Sequence, residues 1–145
     1  MRHVNCVAVP ASVVVEENNR RVVFTAWISA EPLVRASAGS VIPFGYVVVN
    51  IGQAFNPRTS AFTAPYDGVY MFFVHAVISA DYRTFYLVKN GHNVAECDSD
   101  GTERQLACGT TMSLRVGDKV TVVHYNSRGH INAGMETAFS GFRIR

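Results

Sequence analysis

The segment CDSDGTERQLAC, Cys97 to Cys108, holds the densest group of reactive side chains in the chain. Asp98, Asp100 and Glu103 set three carboxylates within six residues, and Gly101 permits a tight bend between them. Calcium takes several oxygen ligands from flexible loops, so a calcium contact is one reading. The string is shorter than a complete calcium loop and has no flanking helices, so a solvated acidic loop is the competing one. Cys97 and Cys108 bracket the segment and could close a disulfide across its base, limiting the open-chain freedom of a polar stretch. With Cys6 the cysteines number three. That fits one pair and a spare, or three free thiols.

A second polar segment, NSRGHINAG, offers Arg128 and His130 near an exposed tip. A guanidinium can grip carboxylate, sulfate or phosphate through two parallel hydrogen bonds. His75 and His124 sit inside apolar runs and read as satisfied core or interface residues. Two histidines at HxH spacing with a downstream Glu, as a cupin-type metal site needs, do not occur. Nor does a nucleophile elbow, a phosphate loop or an HExxH motif. The chain is not read as an enzyme.

Loops need strands to position them. The chain has 145 residues, 48% of them hydrophobic and 17% charged, with a net charge of +2. That suits one domain with a sizeable core. The low charge hints at surface buried between copies. No Lys/Arg cluster beyond Arg20-Arg21 suggests nucleic acid, and no apolar stretch is long enough for a membrane helix. The first 19 residues have a basic start, but Asn5 and Pro10 interrupt them, and they are not read as a signal peptide.

No helical period sustains itself. Short runs rich in Val, Phe, Tyr, Thr and Ile recur between Gly, Pro, Asn and Asp, which is the all-β pattern. Residues 1–20 read as an irregular arm and 21–145 as one domain of nine or ten strands. Segments 31–43, 98–107 and 127–136 read as loops. Asn90-Gly91 marks a hairpin, since both residues tolerate positive φ. The strand Gly68 to Ser79 is apolar on both faces. Tyr70, Phe72, Val74, Ala76 and Ile78 line one, and Val69, Met71, Phe73, His75 and Val77 the other. One face belongs to a core, and the other needs a cover.

The block FGYVVVNIGQAFNPRTSAFTAPYDGVYMFFV, Phe44 to Val74, carries a specific spacing. Phe44 is followed at fixed intervals by Asn50, Phe55, Phe62, Gly68, Tyr70 and Phe72. This resembles the signature of the globular head domain of complement C1q and its relatives, within the C1q/TNF-like superfamily. The last signature position, usually Phe or Tyr, is Val74 here. FTAPYDGVY, LRVGDKV and TAFSGF follow in the family's order, so the resemblance covers roughly residues 20–145. The run VVVNIGQAF is most similar to the stand-alone, cerebellin and emilin-type branches.

The resemblance implies an all-β, ten-strand antiparallel jelly-roll sandwich that assembles as a homotrimer, with the second face of the Gly68–Ser79 strand, Phe73 included, in the interface. Phe44, Phe55, Phe62, Tyr70 and Phe72 are then core or interface packing. Asn50 ties down its turn, and Gly68 takes a backbone shape that side chains resist. Calcium-binding members hold the ion near the top of the trimer axis, which carries over to Asp98, Asp100 and, more weakly, Gln105. Glu103, Arg104, Arg128 and His130 are candidate ligand contacts; the complement head has a similar GHI segment. Cys6 would link chains, or remain a free thiol. Two functions follow. One is a secreted, lectin-like recognition module for microbial glycans, lipopolysaccharide or other anionic surfaces. The other is an extracellular structural or signalling module that binds a protein receptor. The chain contains no Gly-x-y collagen repeat and no Asn-x-Ser/Thr glycosylation site.

Overall fold

The computed structural model describes residues 11, 19–35, 37–102, 104–125 and 128–145. The N-terminal arm, with Cys6, lies almost entirely outside the described residues, as does Glu103. Ten strands form: β1 (Val23–Arg35), β2 (Tyr46–Ile51), β3 (Phe55–Asn56), β4 (Ala61–Thr63), β5 (Gly68–Val77), β6 (Thr84–Lys89), β7 (His92–Asp98), β8 (Gln105–Leu114), β9 (Lys119–His124) and β10 (His130–Arg143). They make two antiparallel five-stranded sheets, in the orders β2-β1-β10-β5-β8 and β3-β4-β9-β6-β7.

Aromatic packing joins the sheets. Phe24 stacks on Phe55 at 4.8 Å and on Phe62 at 5.3 Å, and meets Phe139 edge-on at 4.9 Å. Phe44, Phe55, Phe62, Tyr70 and Phe72 all lie in this core. Such contacts are favourable because ring edges and faces carry opposite partial charge. Gly141 of β10 is what admits the rings. A Cβ there would lie 2.6 Å from a Phe72 ring carbon and 2.7 Å from one of Phe24.

Asn50 grips its turn with both ends of the amide. Its Nδ2 donates to the Phe55 carbonyl at 2.8 Å, and its Oδ1 accepts from the Phe55 N–H at 3.2 Å. Asn90 and Gly91 have φ of 49° and 82°, as a tight hairpin requires.

Two expectations need correction. Gly68 is not among the positive-φ residues. Its requirement is space: a Cβ would collide with the Arg145 carbonyl oxygen, because the chain end runs alongside and Val69 N–H donates to that oxygen. The three polar loops are also shorter than their composition suggests. β1 continues to Arg35 because Leu33, Val34 and Arg35 pair with Asn132, Ile131 and His130 of β10. β8 begins at Gln105, opposite Val77. Distant partners supply these backbone hydrogen bonds, and local composition does not record them.

Candidate functional site

The two faces of β5 have different fates. Tyr70, Phe72, Val74, Ala76 and Ile78 are buried in the core, while Phe73 remains 46% exposed. The outer face of the first sheet reads in cross-strand rows. Ile51, Val23, Phe142, Met71 and Thr111 form one; Val49, Thr25, Ser140, Phe73 and Gly109 the next; Tyr46, Trp27, Ala138, His75 and Ala107 a third. None of these carries a lysine, arginine or carboxylate. Trp27 and Tyr46 stack at 5.3 Å. The Phe73 ring lies over Gly109, where a Cβ would meet it at 2.7 Å.

One end of the sandwich is different. There a cleft of about 300 Å³ is lined by Arg35, Asp81, Gly129 and His130. Arg35 and His130 are cross-strand partners at the ends of β1 and β10. Gly129, at φ 79°, lets the backbone press on the Ser79–Tyr82 turn, where a Cβ would lie 2.6 Å from the Tyr82 nitrogen. Ser79 Oγ accepts from the His130 N–H at 3.0 Å.

Beneath the turn, the buried Tyr82 hydroxyl and His124 Nδ1 are hydrogen-bonded at 2.8 Å. Burial pushes the His124 pKa down to about 4, so the imidazole is neutral near pH 7. Burial also raises the Tyr82 phenol above its usual range. This pair anchors Asp81 from below.

The 98–104 loop joins the same end. Ser99 N–H donates to the Arg83 carbonyl, and Ile78 N–H to that of Arg104, both at 2.8 Å. Gly101, at φ 96°, carries the Arg83 guanidinium where a Cβ would otherwise stand. Arg35, Arg83, Arg104, Arg128 and His130 thus come from segments brought together at one end, with Asp81, Asp98 and Asp100 among them. Arg104, Arg128 and His130 are candidates from the sequence. Arg35, Arg83 and Asp81 are not, since they sit in segments read only as turn or loop. The one available signal was their repeated position beside a strand end.

Asp98 Oδ1 accepts from Thr84 Oγ1 at 2.5 Å, and Asp100 Oδ1 accepts from the Thr102 N–H and Oγ1 at 2.8 and 2.6 Å. Gln105 lies on β8, beside His75, Ala76, Val77 and Glu136 around a separate cleft. Calcium takes six to eight oxygens. Asp98 and Asp100 supply two carboxylates and Gln105 one amide, while Glu103 lies outside the described residues. Among the described residues, no group of three His, Cys, Asp or Glu is placed to hold a metal ion.

Cys97 and Cys108 form a disulfide, with Cα atoms 5.7 Å apart. Because β7 and β8 are edge strands of different sheets, the bond closes one side of the sandwich. Among the described residues, no helix is long and apolar enough to cross a membrane.

Residues 23–144 match the family described as C1q domain. One polypeptide of the rat complement C1q subcomponent is 30% identical over 115 residues, 73% of this chain and 46% of that protein. Rat complement C1q tumor necrosis factor-related protein 5 is 36% identical over 66 residues, 46% of this chain and 27% of that protein. The chain therefore matches less than half the length of each. The globular domain of zebrafish complement 1qA superposes with a TM-score of 0.69 at 22% identity, over 86% of this chain and 98% of that one. The Eiger TNF structure from S. frugiperda gives 0.70 at 16% identity, over 87% and 94%. These likenesses place the two sheets in the C1q/TNF jelly-roll fold.

Proposed function

This chain belongs to the C1q-domain family, and from that premise we propose that it is a secreted, trimeric recognition module. On this reading the arginine-bearing end of each sandwich contacts an anionic surface ligand: a glycan, lipopolysaccharide or a similar polyanion. The observation that carries the proposal is the set of three uncharged rows on the outer face of the first sheet. Phe73, Phe142, Tyr46 and Ile51 are each 40–54% exposed there. Complete burial of such a side chain is worth about 1.5–3 kcal/mol, so covering the partly exposed patch with two further copies is strongly favoured. A trimer then repeats one weak arginine site three times. Multivalent contact converts weak binding into firm attachment on a repetitive surface. The disulfide supports an extracellular site of action, since such bonds persist in oxidising compartments.

Light scattering tests the assembly: the particle is expected at three times the 15.9 kDa chain mass. Capture on lipopolysaccharide and on heparin, each with and without chelator, tests the ligand. Arg35→Glu with Arg128→Glu is expected to abolish capture while the trimer persists. Capture lost with chelator would support calcium at Asp98 and Asp100, and capture that survives chelator would remove calcium from the reading. Trimers that capture neither polyanion, but retain a protein receptor, would replace this reading with the structural or signalling one.

A further inference from the structure

The second sheet carries a groove on its outer face that the polyanion reading does not use. Its volume is about 320 Å³, and Tyr86, Asn93, Val94, Ala95 and Glu96 line it. Tyr86 of β6 and Glu96 of β7 are direct cross-strand partners. The register shifts between the Leu87–Ala95 and Val88–Asn93 pairs, leaving Val94 as the extra residue of a bulge. Bulges of this kind bend a strand and re-aim its side chains. Tyr125 stands edge-on to Tyr86, with ring centroids 5.5 Å apart and planes at 83°. It is 60% exposed.

The groove is electrically one-sided. Among the described residues, no lysine or arginine lines it. Glu96 forms no salt bridge or hydrogen bond among the described residues. Asp98 lies two residues further along β7, on the same face of the strand, held by Thr84. The Tyr86 phenol is raised first by desolvation, then by the charges of Glu96, Tyr125 and Asp98. Two tyrosine rings beside an uncompensated carboxylate complement a planar cation. A guanidinium stacks on an aromatic face and forks onto a carboxylate, which an ammonium does less well. An anionic ligand would be repelled here, and a neutral sugar would hydrogen-bond to Glu96 but gain no charge attraction from it.

We propose that this groove, at Tyr86 and Glu96 with Tyr125 edge-on beside the Tyr86 ring, receives an arginine side chain presented by a protein partner. The site lies on the second sheet, away from the uncharged rows of the first. It goes beyond the polyanion reading and does not depend on it.

Proton–nitrogen NMR of the full chain tests it, with the peptide acetyl-Gly-Arg-Gly-Arg-Gly-amide as probe. Shifts are expected at Tyr86, Val94, Glu96 and Tyr125. The same peptide with citrulline, which keeps the shape and loses the charge, is expected to bind roughly fivefold more weakly or worse. Glu96→Gln should weaken the arginine peptide by a similar factor, about fivefold, and added salt should weaken it further. Tyr125→Ala removes an exposed ring with little risk to folding, and is expected to lower affinity about fivefold. Equal binding of the citrulline peptide, an unaffected Glu96→Gln variant, or shifts confined to other acidic positions would overturn the proposal. So would a response to methyl glucoside with none to the arginine peptide. Loss of polyanion capture leaves these outcomes unchanged, so the two proposals fail separately.

Discussion

Gly141 shows how little slack the core has at a single position. Its missing side chain is the space that the Phe24 and Phe72 rings occupy. Gly141→Ala is expected to cost about 1–3 kcal/mol by overpacking, read as a lower urea midpoint with an unchanged slope. His124 makes a different kind of prediction. Burial depresses its pKa from 6.5 to about 4, so the unfolded chain binds a proton that the folded chain refuses. The stabilisation is therefore complete above pH 6.5 and lost as the pH falls toward 4, by roughly 3 kcal/mol at most. Urea midpoints measured across that window should fall with pH. A His124→Gln variant should show a flatter profile; an equally steep one would assign the acid sensitivity elsewhere.

At the scale of elements, Asn50 and the Cys97–Cys108 bond each hold a junction. Asn50→Ala removes both amide hydrogen bonds to Phe55 and is expected to destabilise by about 1–3 kcal/mol, measurable as a shift in thermal midpoint. Cys97→Ser should cost about 3 kcal/mol, the value for a loop of this length, in the same assay. Alternation and turn residues made β5 and the Asn90-Gly91 hairpin legible, because both are local properties. The far halves of β1 and β10 were not legible. Arg35 and His130 pair across most of the chain, and nothing near either residue signals the other. For the same reason Arg128 and His130 were visible as a polar tip, whereas Arg35, Arg83 and Asp81 joined them only once the strands were folded. Gly68 was recognised as required for the wrong reason: its constraint comes from the chain end, a neighbour remote in sequence.

On the scale of the whole molecule, the two sheets present opposite surfaces. The first has an outer face of uncharged apolar rows, and the second a groove with a carboxylate and two phenols. Phe73→Asp places a charge in the middle row of the first. It is expected to yield monomers or aggregates, whereas the parent chain is expected to sediment as a trimer. A folded trimer of that variant would assign the interface to another face. The same variant should leave the arginine-peptide shifts at Tyr86 and Tyr125 intact, since those residues lie on the other sheet.

The bond between the edge strands also decides what a protease would leave behind. Arg104 lies between the two bridged cysteines. A tryptic cut there severs the polypeptide without releasing either piece. On a gel the nicked protein should run as one band until a thiol is added, and as two afterwards. Its arginine-bearing end would thus survive a first proteolytic wound in place.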